Sequence, residues 1–306
     1  MFPGEFEYYR PDNITQAISL LSDHDSAEVL AGGYSLIPSM KTGSAPSKQT
    51  GIDPSKKTSL ASPDALVDLN NIDELRGIET NNGIIAIGAM TRYISMANND
   101  ILSKRAKVIH EAAKNVGTTQ IRNRGTIGGN IAYADPASDL PGAALTADAT
   151  IVVRGTKGER KISMDDFLLG DCETSIRENE IITEIQIPQR EENVNSAYKR
   201  RTSPSSGYAV VGVGASIHTE DKVIKSARIA ANGLTNRAVR INSTENSLTG
   251  VSITDGESIE AAAEVSADAV DEENILEDIN ASATYRQNLL PMYVEDAITA
   301  AIERTN

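Results

Sequence analysis

Hydrophobic residues recur at helical spacing in several parts of the chain, with polar segments between them. In the first part, the apolar residues from Ile14 to Leu21 fall on one face of a helix that Asp12 or Asn13 can cap. The same spacing predicts further helices at residues 91–96, 103–115, 256–267 and 283–303. Pro291 is expected to kink or break the last of these, because proline lacks a backbone N–H.

Continuous or alternating apolar runs predict strands between and after these helices. Ile185 and Ile187 alternate with Glu184 and Gln186, which is the pattern of a strand with one buried face. The predicted strands are residues 29–31, 65–69, 83–88, 150–154, 181–187, 196–199, 209–215 and 223–231. The chain is therefore predicted to be a mixed protein in which helices pack on sheets.

The segment after Lys41 differs from the rest of the chain. It reads TGSAPSKQTGIDPSKKTSLASP, which is rich in Ser, Thr, Gly, Pro and Lys and has no apolar period. Such a composition cannot bury enough apolar surface to offset the entropy lost on ordering. We therefore expect a mobile loop at residues 42–62.

Two pairs of adjacent glycines interrupt apolar runs: Gly32-Gly33 in VLAGGYSLIPSMK, and Gly128-Gly129 in RGTIGGNIAYADPASDLP. Neither matches the G-x-G-x-x-G or G-x-x-x-x-G-K-[ST] patterns of other nucleotide sites. Glycine permits positive φ and lets an anion approach the backbone. Since no Lys or Arg lies between Ala31 and Ile37 or between Thr126 and Asn130, backbone N–H groups and the side chains of Ser35, Thr126 and Asn130 would hold the anion. A dinucleotide with an internal diphosphate fits best.

Composition narrows the function classes. The 306 residues predict two or three packed units, and the net charge of −14 disfavours nucleic-acid binding. No apolar stretch reaches the length of about 18 residues that a membrane span needs, and we expect no secretory signal. The single Cys172 cannot form an internal disulfide or supply the ligands of a cluster, and the three His are scattered. We therefore expect a cytoplasmic chain without a bound metal.

The stretches around the two glycine pairs resemble those of a known family. AGGYSLIPSMK and TIGGNIAYADPASDLP resemble the two flavin-binding signatures of the FAD-carrying medium subunit of the molybdenum hydroxylases, the xanthine dehydrogenase, carbon monoxide dehydrogenase and aldehyde oxidoreductase family. FEYYRPDNITQAISLL resembles the opening helix of that family, and ASATYRQNLLPMYVEDAI resembles its C-terminal helix. The resemblance covers nearly the whole chain, and the loop after Lys41 is its main departure.

The resemblance implies an α+β fold of the p-cresol methylhydroxylase or vanillyl-alcohol oxidase type, with FAD between two α/β subdomains. It implies an N-terminal FAD-binding subdomain at residues 1–60, a second at residues 63–190, and a C-terminal medium-subunit domain at residues 193–306. This last domain is expected to hold a three-stranded antiparallel sheet and helices.

The resemblance also assigns residues to the cofactor, and none to catalysis, because the flavin carries the redox chemistry. The implied FAD contacts are Ala31, Gly32, Gly33, Tyr34, Ser35, Leu36 and Ile37 in the first loop, Thr126, Ile127, Gly128, Gly129 and Asn130 in the second, and Val116, Asp139, Ile182 and Lys199 elsewhere. Asp139 is expected at a ribose hydroxyl, and its alternative role is a helix cap. Lys199 is expected at the isoalloxazine or the phosphates, and its alternative is a solvated strand end. Position 34 is Tyr where the carbon monoxide dehydrogenase type has His, so that enzyme's substrate and acceptor are not carried over.

In function, the resemblance implies an electron-transfer subunit. A molybdopterin-binding large subunit would oxidise the substrate, a small subunit with [2Fe–2S] clusters would carry the electrons, and FAD in this chain would deliver them to an external acceptor. The complex would be a dimer of heterotrimers, a heterohexamer.

Other functions stay open from the residues alone. A self-contained flavin reductase of the same fold, like UDP-N-acetylenolpyruvoylglucosamine reductase, would have similar paired-glycine loops. The chain could also be a binding module that has lost FAD, or a nucleotide-binding protein of another kind. The substrate of the complex and its electron acceptor are not identifiable from this sequence.

Overall fold

The computed structural model describes residues 2–42, 62–190 and 193–305. Its first sheet is parallel and has the strand order β1-β3-β2. The strands are β1 (Glu7–Tyr9), β2 (Ala27–Leu30) and β3 (Ala65–Asp68). Strand β3 follows the expected subdomain boundary near residue 63, yet it is the central strand of this sheet. Most of the loop expected at residues 42–62 lies outside the described residues.

A second, antiparallel sheet has the order β4-β5-β10-β6-β7. The strands are β4 (Ile78–Asn81), β5 (Ile84–Gly88), β6 (Thr150–Gly155), β7 (Gly158–Ser163) and β10 (Ile181–Pro188). Between β7 and β10 lies a small pair, β8 (Leu168–Gly170) and β9 (Glu173–Thr174). The alternation seen at residues 184–187 is confirmed, since Ile185 and Ile187 are buried in this sheet.

The C-terminal part forms an antiparallel sheet with the order β11-β12-β13-β14. The strands are β11 (Val194–Thr202), β12 (Ala209–Glu220), β13 (Val223–Asn232) and β14 (Val239–Arg240). The three long strands match the expected three-stranded sheet. The two-residue strand β14 extends it by pairing with Ala230 and Ala231.

The described residues form twelve α-helices. They are α1 (Ile14–Asp23), α2 (Leu36–Thr42), α3 (Tyr93–Ala97), α4 (Asp100–Arg105), α5 (Lys107–Asn115), α6 (Thr119–Arg124), α7 (Ile127–Tyr133), α8 (Asp139–Thr146), α9 (Met164–Phe167), α10 (Asn242–Leu248), α11 (Gly256–Glu264) and α12 (Ala283–Ile302). The helix predicted at residues 103–115 is divided between α4 and α5, because the chain leaves helical geometry at Ala106.

The prediction that Pro291 breaks the last helix was wrong. Helix α12 passes through Pro291 without interruption. Leu289, Leu290 and Val294 of the same helix are buried in the C-terminal core. Burial of this apolar face outweighs one missing backbone hydrogen bond, since packing supplies most of the stability of a helix in a protein.

The buried side chains form two large cores and smaller ones. One core lies between the five-stranded sheet and helices α3 to α9, and it includes Ile85, Ile109 and Phe167. Another lies between the C-terminal sheet and helices α10 to α12, and it includes Val213 and Ile298. The α+β architecture expected from the sequence is confirmed.

Candidate functional site

A cleft of about 370 Å³ opens where three segments of the chain meet. Its walls are the turn between β2 and α2, the segment that leads from Gly125 into α7, and the segment from Thr174 to Ile182. Eleven residues predicted from the sequence line it: Ala31, Gly32, Gly33, Tyr34, Ser35, Leu36, Thr126, Gly128, Gly129, Asn130 and Ile182. The structure therefore brings together two loops that are distant in sequence.

The two glycine loops lie directly against each other. A Cβ built on Gly32 would lie 2.5 Å from the Arg124 carbonyl oxygen and 2.9 Å from the Gly125 Cα. A Cβ on Gly129 would lie 3.4 Å from the Ala31 Cβ. Backbone occupies the space that a side chain on Gly32 would need, so the contact between the loops requires glycine at this position.

The first loop presents unsatisfied hydrogen-bond donors to the cleft. Among the described residues, the backbone N–H groups of residues 32–36 have no hydrogen-bond partner. The Gly33 carbonyl accepts the N–H of Ile37 at 3.1 Å, which begins helix α2. Gly33 has φ of +81°, a conformation that glycine adopts without strain. A run of free N–H groups at a helix start is an arrangement that binds anions.

The second loop differs from its expected form. It is the start of helix α7, and the Thr126 side chain caps it by accepting the Gly129 N–H at 3.2 Å. The Gly128 N–H donates to the Ala89 carbonyl at 2.8 Å, and the Ile127 N–H donates to the Thr91 carbonyl at 3.1 Å. These three N–H groups are therefore already hydrogen-bonded within the protein. The second loop offers the cleft its surface and its side chains, while the first loop offers free amides.

A set of buried and half-buried polar side chains continues from the second loop. The Ser138 hydroxyl donates to the Asn130 Oδ1 at 2.8 Å, and the Asn130 amide bonds the Tyr93 hydroxyl. Burial raises the pKa of Tyr93 well above its ordinary value, so the phenol remains protonated. All three side chains line the cleft. They can hydrogen-bond a polar ligand without contributing charge.

The cleft holds no positive side chain among its described lining residues. The charged residues in its wall are the acids Glu28, Asp135 and Glu180. An anion in this cleft would therefore be held by backbone dipoles, as the sequence predicts, and its negative charge would lie nearest the first loop.

Sequence reasoning missed several residues of the cleft wall. They include Glu28, Tyr93, Tyr133, Asp135, Ser138, Thr174, Ile176, Glu180 and Tyr208. Ser138 and Asp135 belong to the quoted run ADPASDLP and could have been included with it. Tyr93 and Tyr208 come from distant elements, and no pattern near them indicates the site.

Five predicted residues lie outside the cleft lining. Ile37 is partly exposed on α2, Val116 is buried at the end of α5, and Ile127 is fully buried in the core beneath α7. Lys199 lies on β11 with intermediate exposure. Asp139 is the first residue of α8.

Asp139 is held by the C-terminal sheet. Its carboxylate accepts the Tyr198 hydroxyl at 2.7 Å and the Arg200 guanidinium at 2.6 Å. The Asp139 side chain is 4% exposed and that of Arg200 is 10% exposed, so the ion pair is buried. Burial raises the pKa of Asp139 above its ordinary value, against the opposing effect of Arg200. The described geometry thus connects α8 to β11 through this carboxylate.

No helix in the described ranges is long and apolar enough to cross a membrane. No group of three or more His, Cys, Asp or Glu side chains in those ranges is placed to hold a metal ion.

Family comparison agrees with the geometry. Residues 49–190 match the model of the FAD binding domain in molybdopterin dehydrogenase, and residues 196–301 match that of the CO dehydrogenase flavoprotein C-terminal domain. The chain is 33% identical over 305 residues to the carbon monoxide dehydrogenase medium chain of Hydrogenophaga pseudoflava, covering 99% of each chain. It is 30% identical over 290 residues to the glyceraldehyde dehydrogenase medium chain of Sulfolobus acidocaldarius, covering 95% of this chain and 96% of that protein.

Solved structures show the same likeness. A chain of carbon monoxide dehydrogenase from Hydrogenophaga pseudoflava, in a form that lacks the Mo-pyranopterin moiety, superposes with a TM-score of 0.89 at 32% identity, covering 99% of both chains. A chain of quinoline 2-oxidoreductase from Pseudomonas putida 86 superposes with a TM-score of 0.86 at 26% identity, again covering 99% of both. The chain therefore belongs to the family of FAD-binding medium subunits of molybdopterin dehydrogenases.

Proposed function

We propose that this chain carries FAD in the cleft between the two glycine loops and serves as the electron-transfer subunit of a molybdopterin-dependent dehydrogenase. The observation that carries the proposal is the run of free N–H groups at residues 32–36, packed against the second loop in a cleft without cationic lining residues in the described chain. FAD bound there would supply the ability to accept electrons and release them to another acceptor.

The residues of the cleft have separate parts in this proposal. The amides of residues 32–36 hold the diphosphate, and Thr126 and Asn130 bond polar groups beside it. Ile182 packs against an apolar ring of the cofactor. The proposed FAD contacts are the eleven predicted residues that line the cleft.

The five predicted residues outside the cleft lining are proposed to act indirectly. Ile37, Val116 and Ile127 support the loops by packing. Asp139 is already paired with Arg200 and Tyr198, and Lys199 is absent from the described cleft lining. We propose that Asp139 helps to fix β11 against α8 near the cleft, and that Lys199 acts through its place on the same strand.

The partners and organisation extend this proposal. A large molybdopterin-binding subunit would oxidise the substrate, and a small subunit with [2Fe–2S] clusters would pass electrons to this chain, in a dimer of heterotrimers. The domain division at residues 1–60, 63–190 and 193–306 is also proposed, with the first sheet completed by β3 from the second unit. A cytoplasmic location is proposed because a chain with one cysteine has no internal disulfide.

The similarity over nearly the whole chain to medium subunits supports this function over a self-contained reductase. A reductase would reduce UDP-N-acetylenolpyruvoylglucosamine with a reduced nicotinamide, using this chain alone. We expect no such activity from the purified chain. We also expect no dehydrogenase turnover until the two partner subunits are added.

The FAD site is tested by replacing a glycine of the first loop. Gly32→Ala places a methyl group against the backbone of residues 124 and 125, so the loops must separate. We expect the dissociation constant for FAD to rise at least about tenfold, which corresponds to about 1.4 kcal/mol. Gly256→Ala is the matched control, because its Cβ meets no atom within 4 Å. Equal FAD binding by both variants, or no FAD binding by the unaltered chain, would overturn the proposal.

A further inference from the structure

A chain of hydrogen bonds runs from the N-terminal strand to the first glycine loop. The Tyr8 hydroxyl donates to the Asp68 Oδ2 at 2.5 Å. The Asp68 Oδ1 accepts the backbone N–H of Asn70 at 2.8 Å and its side-chain amide at 2.6 Å. The same Asn70 amide nitrogen donates to the Ala31 carbonyl at 3.0 Å. Asn70 lies in a 3₁₀ turn, Leu69–Asn71, that follows β3.

The orientation of the Asn70 side chain is fixed by these contacts. Both hydrogens of its amide group are used, one on Ala31 and one on Asp68. Its Oδ1 faces the Arg76 guanidinium at 3.4 Å. Rotating the amide by half a turn would place its oxygen against the Ala31 carbonyl and the Asp68 carboxylate, so the opposite orientation is excluded.

Asp68 is suited to hold this turn. It is 7% exposed. Burial tends to raise the pKa of Asp68, but hydrogen bonds from Tyr8 and Asn70 outweigh burial and keep the pKa below its ordinary value. The carboxylate is therefore ionised at neutral pH and accepts charge-assisted hydrogen bonds, which are stronger than neutral ones.

The Ala31 carbonyl and the Gly32 N–H belong to one peptide unit. The described chain has no cis peptide bond, so these two groups point in opposite directions from one plane. Fixing the carbonyl therefore fixes the direction of the N–H. Gly32 is buried and lines the cleft, and its N–H has no partner among the residues that the structure describes. Buried N–H groups are nearly always hydrogen-bonded in native proteins, so this one is available to an acceptor that enters the cleft.

We propose that Asn70 is a positioning residue for the diphosphate site: by holding the Ala31 carbonyl, it directs the Gly32 N–H toward a phosphate oxygen. Asp68 and Tyr8 hold Asn70 in that orientation. This inference rests on the proposed function, because it assumes that the cleft binds FAD. It assigns a role to residues that lie outside both glycine loops and outside the cleft lining.

The affinity test compares two asparagines of the same turn. Asn70→Ala removes the bond to Ala31, whereas Asn71→Ala alters an exposed side chain that bonds Asp12 on the other side of the turn. We expect Asn70→Ala to raise the FAD dissociation constant about tenfold, as for the loss of one hydrogen bond to a charged group. Asn71→Ala should change it less than about twofold. Similar dissociation constants for the two variants would overturn the proposal.

A second measurement separates positioning from general destabilisation. Ala31-Gly32 is the only Ala–Gly pair in the sequence, so carbonyl-¹³C alanine with ¹⁵N glycine gives one correlated amide signal, that of Gly32. In the unaltered full-length chain we expect FAD to move this proton signal downfield, as hydrogen bonding does. In Asn70→Ala saturated with FAD the shift should be largely lost, and in Asn71→Ala it should be kept.

The outcomes distinguish the two proposals. If the unaltered chain binds no FAD, the proposed function fails. If it binds FAD but the Gly32 signal does not move, or moves equally in Asn70→Ala, the inference about Asn70 fails while the proposed function stands. A weaker affinity in Asn70→Ala with an unchanged Gly32 shift would show a merely structural role and would also overturn the inference.

Discussion

Gly32 and Gly33 are adjacent, yet each must be glycine for a different physical reason. Gly32 lacks a side chain because the backbone of residues 124 and 125 occupies that space. Gly33 has φ of +81°, and a Cβ there would lie 2.7 Å from the Ile37 Cδ1. The first substitution would separate two loops, and the second would strain one turn. Single residues of the same type thus affect the site through different interactions.

Gly33→Ala is expected to destabilise the chain by about 1–2 kcal/mol, because the positive φ is unfavourable for alanine. Since the strained turn carries the free amides, the FAD dissociation constant should also rise. Gly207→Ala is the matched control: Gly207 has φ of +74°, with no atom within 4 Å of its Cβ. Urea unfolding of the apo chain should show a loss in both variants. FAD titration should show a loss only in Gly33→Ala, and equal titrations would contradict the argument.

Thr126 combines two roles in one side chain, since it caps helix α7 and lines the cleft. Thr126→Ala should lower the free energy of unfolding by about 1 kcal/mol, the usual effect of losing an N-cap. Asn99→Ala is the control. It removes the N-cap of helix α4, in which the Asn99 Oδ1 accepts the Leu102 N–H at 3.0 Å. Both variants should lose stability in urea. Only Thr126→Ala should bind FAD more weakly, and weaker binding by Asn99→Ala would indicate a general effect of stability.

At the scale of elements, the sequence predicted the long strands and the amphipathic helices because their apolar patterns are strong. Strand β1 was missed because EYY is short and mostly exposed, so it has no apolar pattern. Helix α7 was predicted as a loop because two glycines disfavour a helix in isolation. The helix needs glycine at position 128, because a Cβ there would lie 2.5 Å from the Ala89 Cβ. This tertiary contact outweighs the low helix propensity of glycine.

The candidate site was also predictable only in part. The glycine pairs indicated both loops, since bare backbone beside apolar runs suggests close approach. The sequence could not predict that only the first loop has free amides. The Gly128 and Ile127 amides donate to the carbonyls of Ala89 and Thr91, which are distant in sequence. The proposed role of Asn70 was not predictable either, since it rests on one hydrogen bond with Ala31, 39 positions away in sequence.

Helix α12 is connected to the C-terminal sheet by a buried cation. The Arg286 guanidinium donates to the carbonyls of Val210 and Gly233 at 2.5 and 2.6 Å and pairs with Asp278 at 2.8 Å. Burial tends to raise the pKa of Asp278, but hydrogen bonds from the backbone N–H of Asn280 and the charge of Arg286 keep it below its ordinary value. The pair therefore contributes a stability that depends on pH.

The sign follows from the lowered pKa of Asp278. The contribution of the carboxylate is fully present above the unfolded pKa of about 3.9 and is lost as pH falls through the folded pKa. Asp278→Asn should therefore be less stable than the unaltered chain at pH 5–7, and the difference should shrink below about pH 4. Urea unfolding across this range measures it. Glu295→Gln, at an exposed position of α12, is the control, and a pH-independent difference for Asp278→Asn would contradict the assignment.

At the scale of the whole molecule, the C-terminal sheet meets the cleft-forming part of the chain through polar contacts as well as packing. The Gly233 N–H donates to the Pro136 carbonyl at 2.7 Å, and Tyr208 lines the cleft. Asp139 on α8 pairs with Arg200 on β11 in the same region. The cleft therefore depends on the position of a sheet whose strands contribute none of its described lining residues, since Tyr208 lies between β11 and β12.

The Asp139–Arg200 pair allows this dependence to be separated from direct FAD binding. Asp139→Asn leaves the Arg200 charge buried and unpaired, so the loss of stability should be about 3–5 kcal/mol. The double variant Asp139→Leu with Arg200→Met removes both charges and should recover part of that loss, as a double-mutant cycle in urea would measure.

The decisive measurement is FAD titration of this folded double variant. If Asp139 acts only by holding β11 against α8, the dissociation constant should stay within about threefold of the unaltered chain, a difference of under 1 kcal/mol. If instead the Asp139 carboxylate bonds a ribose hydroxyl of FAD, the double variant should lose about tenfold or more in affinity despite its recovered stability. A Lys199→Ala variant measured beside it applies the same criterion to a second of the five predicted residues that lie outside the cleft lining. Because the comparison is made between folded proteins, an affinity loss in either variant would mean that FAD binding draws these side chains into the cleft.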